Sequence, residues 1–313
     1  MKITSLTPPL AALLVFAGCG SPRIAQRVDP EIERNAAAAR TSYANGMVEG
    51  AAAFYLKALD RARLADRPEE IAKLSYNLAA CRAQAQQYRE ALELLDEADY
   101  ESAAAGNVFP EALLLRAEIL RRLGRAGEAA DAVAAFAGKL KPDDPIRVQM
   151  KVFLAEAACD RGDGNLALQE LEGLDRGLLN KAGSLEQARA AQARARALGL
   201  EKNYAASAGE YDRAAALYQK SERYLEMAGA LQSSADAFSA AGKNAEAAER
   251  YFRAARSLGL GGKTEAALAA FGRAEKLAGE TGDASLAGAL ARLKPELARG
   301  AASNAAPAKA QPE

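Results

Sequence analysis

Apolar residues recur along most of the chain at the spacing of one face of an α-helix. Between residues 31 and 299 they fall at i, i+3, i+4 and i+7, in blocks separated by short polar turns. Alanine is abundant in these blocks, whereas aromatic residues are 6% of the chain and tryptophan is absent. Alanine has the highest helix propensity, and strands favour β-branched and aromatic residues. The pattern therefore predicts an all-α protein.

The turns between the blocks recur at a nearly constant interval. Residues 38 or 40 positions apart occupy successive turns: Gly46, Gln86, Gly124, Gly162, Lys202, Gly242 and Gly282. A small residue follows each turn by five positions: Ala51, Ala91, Ala129, Ala167, Ser207, Ala247 and Ala287. A small residue also precedes each of the first six turns by seven positions: Ala39, Ala79, Ala117, Ala155, Ala195 and Ala235. At the seventh turn this position is occupied by Glu275. Seven such units indicate a repeat array rather than two compact domains.

Close packing explains the two columns of small residues. Two antiparallel helices joined by a tight turn approach closely only where the facing side chains are small. A larger apolar column stands four positions further on and would pack against the next unit: Tyr55, Leu95, Val133, Leu171, Tyr211 and Tyr251. One hairpin cannot bury its apolar face alone, so stacked units supply the core. We predict seven helix hairpins, at 31–64, 68–100, 107–140, 144–180, 184–220, 223–260 and 263–299.

The order of these positions resembles the tetratricopeptide repeat. A small residue, a turn glycine, an aromatic such as Tyr88 or Tyr204 and then an alanine follow one another at the spacing of that family. The resemblance covers residues 31–299 and implies an α-solenoid, a superhelix of about seven hairpins. The period of 38–40 residues exceeds the family's 34, which implies either longer helices or longer loops. Leu113 and Leu231 stand at the place of the family's tryptophan in two units, and Pro295 falls inside the last helix.

By the same resemblance, the first helices of the hairpins line a concave groove where a partner segment docks. The groove-facing places are occupied by mainly polar residues: Tyr43, Tyr76, Glu118, Arg121, Arg122, Gln149, Glu156, Asp160, Arg189, Gln192 and Arg196. Such a face would form charge-assisted hydrogen bonds with an extended peptide or a terminal carboxylate. The alternative interpretation is a solvated helix surface that carries ordinary charges.

Charge and composition argue against other classes of function. Lys plus Arg and Asp plus Glu are both 41, so no net field favours a nucleic-acid partner. Histidine is absent, and the carboxylates are scattered without metal-ligand spacing. We therefore expect no catalytic activity, no metal and no cofactor. Cys81 and Cys159 each lie within a helical pattern, where we expect them to be small buried apolar residues.

A short apolar segment precedes the array. Residues 10–17 are eight apolar residues, far fewer than the roughly 20 that span a membrane as a helix. This segment is typical of a secretory signal, followed by either of two cleavage sites. The small residues Val15 and Ala17 allow an ordinary cut before Gly18. Alternatively, Phe16-Ala17-Gly18-Cys19 resembles the bacterial lipobox, which implies cleavage before Cys19 and attachment of acyl chains to that residue.

The lipobox interpretation sets the predicted domain organisation and location. Residues 1–18 would be a lipoprotein signal peptide, 19–30 a linker, 31–299 the solenoid and 300–313 a disordered tail. Gly20 is not the aspartate associated with inner-membrane retention, which implies an outer-membrane anchor facing the periplasm. A soluble periplasmic protein is the alternative.

Two hypotheses about function follow from the predicted fold and location. The first is a lipid-anchored periplasmic scaffold that binds segments of other cell-envelope proteins and supports assembly of an envelope complex. The second is a non-catalytic accessory protein that binds a glycan or a small molecule.

Overall fold

The computed structural model describes residues 29–141, 144–174 and 176–305, with fifteen helices as the regular structure in these residues. The helices are α1 (Pro30–Ala44), α2 (Val48–Leu64), α3 (Pro68–Gln84), α4 (Tyr88–Ala104), α5 (Pro110–Arg122), α6 (Ala126–Ala137), α7 (Pro145–Asp160), α8 (Gly164–Glu172), α9 (Arg176–Ala182), α10 (Ser184–Leu200), α11 (Tyr204–Lys220), α12 (Tyr224–Ala240), α13 (Asn244–Leu260), α14 (Thr264–Thr281) and α15 (Ala284–Ala305). The predicted all-α fold is confirmed. The predicted signal peptide and Cys19 lie outside the described residues.

Consecutive helices pair into seven antiparallel hairpins, α1–α2, α3–α4, α5–α6, α7–α8, α10–α11, α12–α13 and α14–α15. Hairpin four differs from the prediction because α8 ends at Glu172 and residues 176–182 form the separate helix α9. Leu178 and Leu179 of α9 pack against the core shared by α7, α8 and α10. The last helix runs to Ala305, past the predicted end of the array at 299.

Longer helices, and not longer loops, produce the 40-residue period. Seven of the helices have 17 residues each, and three residues separate consecutive helices within and between hairpins five and six. Two such helices with their two turns make up one period.

All seven predicted turn residues have a positive φ, as expected for the end of a helix that stops in a tight turn. Five are glycines, which adopt this conformation without steric cost, and Gln86 and Lys202 adopt it at φ 61°. The turns between hairpins use the same conformation, for example at Gly106 and Gly262.

The two columns of small residues are fully buried between the helices. In the first six hairpins their members are at most 1% exposed: Ala39, Ala79, Ala117, Ala155, Ala195, Ala235, Ala51, Ala91, Ala129, Ala167, Ser207 and Ala247. Ser207 fits among the alanines because its hydroxyl donates a hydrogen bond to the Ala195 carbonyl of the facing helix at 2.8 Å. The predicted register of these hairpins is confirmed.

Hairpin seven corrects the predicted register. Glu275 does not occupy the small column; it is exposed, and the fully buried Ala274 takes that place. A carboxylate is costly to bury, and Glu275 instead lies at the surface, where its Oε1 atom is 3.2 Å from Lys294 Nζ of α15. On the second helix Ala287 is likewise exposed, and Leu286 is buried instead. Pro295 lies inside α15, as predicted.

Membrane crossing requires a helix that is both long and apolar. In the part of the chain that the structure describes, no helix meets both conditions.

Candidate binding groove

One cavity of about 430 Å³ is lined by helices of hairpins two to six. We call it the groove, and its lining residues are Tyr76, Glu111, Leu114, Leu115, Glu118, Arg121, Arg122, Gln149, Phe153, Glu156, Leu185, Arg189, Gln192, Tyr218, Arg223 and Glu226. Most of them lie on α3, α5, α7, α10 and α12, which are the first helices of their hairpins. Because side chains from five hairpins border one space, these first helices curve around it.

Most of the predicted site residues meet in the groove. Those that line it are Tyr76, Glu118, Arg121, Arg122, Gln149, Glu156, Arg189 and Gln192. Asp160 and Arg196 do not line it, but they continue its ion pairs along α7 and α10. Tyr43 on α1 is exposed and lies outside the lining. The role of these residues in binding stays a prediction.

Arg121 connects α5 to α7 through three carboxylates. Its guanidinium donates to both Glu118 oxygens, at 3.0 and 3.1 Å, and to Asp160 Oδ2 at 2.7 Å. Glu156 Oε2 lies 3.7 Å from the Arg121 Nη2 atom. Asp160 also accepts a hydrogen bond from Arg196 of α10 at 2.7 Å. The arginines and carboxylates of hairpins three, four and five therefore bind each other.

Arg189 of α10 makes a second set of ion pairs with α7. Its Nε and Nη2 atoms donate to the two oxygens of Glu156 at 3.1 and 2.8 Å. Its Nη1 atom lies 3.4 Å from Oε1 of Glu186. The side chain of Glu156 is 13% exposed and that of Glu186 is 11% exposed. Glu186 Oε2 is buried without a hydrogen-bond partner among the described residues.

Burial and neighbouring charges perturb the pKa values of this network in opposite directions. Burial raises the pKa of Glu186 above its usual range, Arg189 opposes the shift, and Glu156 adds to it. Burial alone would raise the pKa of Asp160, but hydrogen bonds from Arg196 and Arg121 outweigh this effect and lower the pKa below its usual value. A carboxylate that binds two guanidinium groups is thus held ionised, whereas one with an unpaired oxygen is destabilised in its ionised form.

The rest of the lining is apolar or aromatic. Leu114 and Leu115 of α5 are half-buried, and Leu185 at the start of α10 is 40% exposed. Tyr76 of α3 packs its ring at 5.0 Å from that of Phe109. Tyr218 is mostly buried and donates from its hydroxyl to Gln192 Oε1 at 2.8 Å. Burial, followed by the charge of Glu156, raises the pKa of Tyr218 to about 12, so its hydroxyl remains a donor.

Comparison with known proteins identifies the fold. No protein-family model matches the sequence, and no curated protein sequence matches it. A solved structure of Rap protein complexed with competence and sporulation factor is 15% identical, with a TM-score of 0.50 over 86% of this chain and 97% of that chain. The chain is a tetratricopeptide-like solenoid in its fold.

Two further solved structures are similar. A tetratricopeptide repeat protein from Parabacteroides merdae is 16% identical over 80% of this chain and 94% of that chain, with a TM-score of 0.49. The C-terminal part of a TPR repeat-containing protein from Cytophaga hutchinsonii is 15% identical over 80% of this chain and 91% of that chain, with a TM-score of 0.49.

Several residues of the groove were not among the predicted ones. Leu185 lies in the first turn of α10, and Arg223 and Glu226 lie at the start of α12. Tyr218 was missed because it belongs to α11, a second helix, whereas the prediction drew only on first helices. No pattern within one repeat signals that a second helix reaches the groove, because this depends on how the hairpins curve.

Because the sequence has no histidine, cysteines and carboxylates are its candidate metal ligands. In the ranges 29–141, 144–174 and 176–305, no cluster of cysteines and carboxylates could hold a metal ion. Both cysteines of these ranges are free and buried. Burial raises the pKa of Cys159 to about 11, so its thiol stays protonated at neutral pH.

Proposed function

We propose that the chain is a non-catalytic scaffold that binds a segment of another protein in the groove. The supporting observation is that five consecutive hairpins contribute both charged and apolar side chains to one cavity. A repeat array presents such an extended surface because each unit adds one row of side chains to the next. The Rap protein has the same fold and was solved in complex with its factor, which shows that this fold accommodates a bound ligand.

Site-specific crosslinking tests this function. A photo-crosslinking amino acid is placed at Gln192 in the groove and, as a control, at Ala134, which is exposed on the second helix α6. We expect one reproducible protein adduct from the Gln192 position and none from the Ala134 position. If both positions give the same adducts, or if neither gives any, the groove is not the binding surface.

We further propose that the scaffold is anchored by lipid at Cys19 and acts in the periplasm at the outer membrane, on cell-envelope partners. The support is the sequence alone: a short apolar segment that ends in Phe16-Ala17-Gly18-Cys19. Several acyl chains would hold the protein stably at a bilayer, because each buried methylene contributes about 0.8 kcal/mol. The variant Cys19→Ser should move from the membrane fraction to the soluble fraction. A variant that stays in the membrane fraction would contradict the anchor.

A glycan or a small molecule is the second candidate ligand. The observation that favours it is that Tyr76 and Tyr218 line the same cavity, and that aromatic side chains with a few polar groups are typical of small-ligand sites. A thermal-shift screen of glycans against peptides separates the two candidates, because a ligand of the native state raises the melting temperature by mass action. Stabilisation by glycans alone would favour this second function.

A further inference from the structure

The groove's arginines are already paired within the protein. Arg121 is bound by Glu118 and Asp160, and Arg189 is bound in a bidentate manner by Glu156. Of the described charged residues that line the groove, Glu111 has no ion pair. Four arginines border the cavity, but the carboxylates that line it balance their charge, so the groove has no net positive charge.

An acidic segment would have to compete with these internal carboxylates. If a ligand carboxylate took Arg189, Glu156 would lose both of its short hydrogen bonds while its side chain is only 13% exposed. Glu186 beside it already has one buried oxygen without a partner. Glu156 would keep only the longer contact with Arg121, at 3.7 Å. Weakening the compensation of a buried charge is unfavourable, so the groove discriminates against acidic ligands.

The lining also includes apolar side chains that remain accessible to a ligand. Leu185 is 40% exposed at one side of the groove, and the half-buried Leu114 and Leu115 face the same cavity from α5. An apolar side chain inserted there would remove this surface from water, which is the main source of favourable energy in most protein interfaces.

We infer that the groove selects a peptide segment that inserts an apolar side chain against Leu114, Leu115 and Leu185, and that it rejects acidic segments. This inference rests on the proposed protein-binding function and names the chemistry of the partner. The ion pairs then serve to shape the groove and to exclude the wrong ligand, and the leucines supply the affinity.

Selection from a random-sequence peptide library on the purified full chain tests the inference. We expect enriched peptides to be rich in Leu, Ile and Phe and poor in Asp and Glu. Their affinity should be the same at low and high salt, because screening weakens charge interactions and leaves apolar contacts intact. Enrichment of acidic or basic peptides with salt-sensitive binding would overturn the inference.

Two variants connect the selected peptides to the groove. Leu185→Ser should weaken their binding at least about tenfold, the loss expected for an anchor contact. Leu64→Ser is the matched control, because Leu64 is an exposed leucine outside the groove, and it should bind as the parent does. Circular dichroism confirms that each variant is folded, and Leu185→Ala repeats the test with a residue that favours helix. Equal binding by parent and both Leu185 variants would overturn the inference.

A third variant should change the specificity. Glu156→Gln keeps the size of the side chain but removes the carboxylate that occupies Arg189. A selection on this variant should recover acidic peptides that the parent rejects. If the parent itself recovers acidic peptides in a groove-dependent manner, the inference fails while protein binding stands. If no peptide of any class depends on groove residues, the proposed function fails as well.

Discussion

The ion pair between Arg189 and Glu156 allows the construction of the groove to be tested quantitatively. It joins α10 to α7 across 33 positions of the chain, with two parallel hydrogen bonds of 3.1 and 2.8 Å. The Glu156 side chain is 13% exposed and the Arg189 side chain is 30% exposed. We consider the variants Glu156→Ala, Arg189→Ala and their combination, which form a double-mutant cycle.

The expected coupling energy follows from this burial. Exposed ion pairs contribute about 0–1 kcal/mol, and breaking a fully buried pair costs about 3–5 kcal/mol. Arg189 and Glu156 lie between these limits and have bidentate geometry, so we expect a coupling of about 1–3 kcal/mol. Arg189 keeps a weaker contact with Glu186 at 3.4 Å when Glu156 is removed, which holds the value below that of a fully buried pair.

Urea denaturation of the four proteins, followed by far-ultraviolet circular dichroism, measures the coupling. An array of repeats unfolds in parts when one interface is weakened, so amide hydrogen exchange is measured on the same variants. We expect the loss of protection to concentrate in α7 and α10, the two helices that the pair joins.

Arg125 and Glu128 provide the matched control. They form the same bidentate pair, at 2.9 and 2.8 Å, but their side chains are 52% and 61% exposed. The corresponding cycle should give no measurable coupling, because solvent screens both charges. Equal coupling energies in the two cycles would mean that burial does not strengthen the ion pairs of the groove. The argument that the groove rejects acidic ligands would then be wrong.

Three further predictions concern packing, backbone and pH. Ala247→Leu should lower the free energy of unfolding by about 1–3 kcal/mol, because the larger side chain overpacks the contact between α12 and α13. Ala245→Leu, on the exposed side of the same helix, should be as stable as the parent. Lys202→Gly should raise the free energy of unfolding by about 1 kcal/mol, because φ is positive at this turn; urea denaturation measures both effects. Burial raises the pKa of Glu186, so the native state holds this proton more tightly than the unfolded state, and stability falls as the pH rises through the native-state pKa. Glu186→Gln should therefore be more stable than the parent at neutral pH, and a pH series of melts should show the difference shrinking toward the unfolded glutamate value of 4.5.

The turns and the small columns were predictable because each depends on local rules. A tight turn after a helix requires a residue with positive φ, and the glycines at 46, 124, 162, 242 and 282 predict five of these turns. Close helix contact requires small side chains, and their constant distance from the turn specifies which alanines face each other. Both signals lie within one hairpin and repeat seven times, so they are readable without knowledge of the superhelix.

The departures are the exposed Glu275 and the separate helix α9. Hairpin seven keeps the turn spacing, since Gly242 and Gly282 both have a positive φ and lie 40 residues apart. Its buried positions are nevertheless Ala274 and Leu286, one residue before the predicted ones, because the carboxylate of Glu275 is costly to bury and lies at the surface near Lys294. A column counted back from Gly282 cannot detect this shift. The helix α9 was missed because its apolar residues continue the pattern of hairpin four although the backbone breaks after Glu172.

The groove shows what one repeat cannot reveal about a site. The first-helix positions correctly brought Glu118, Arg121, Glu156 and Arg189 together, because equivalent places on stacked helices are neighbours. Because they are neighbours, these side chains also form ion pairs between hairpins. Their spacing along the chain does not predict those ion pairs. The two sequence interpretations of the charged face, a ligand site and an ordinary helix surface, are therefore compatible. The ion pairs join consecutive hairpins as helix-surface charges do, and the ligand site that we propose consists of the leucines between them.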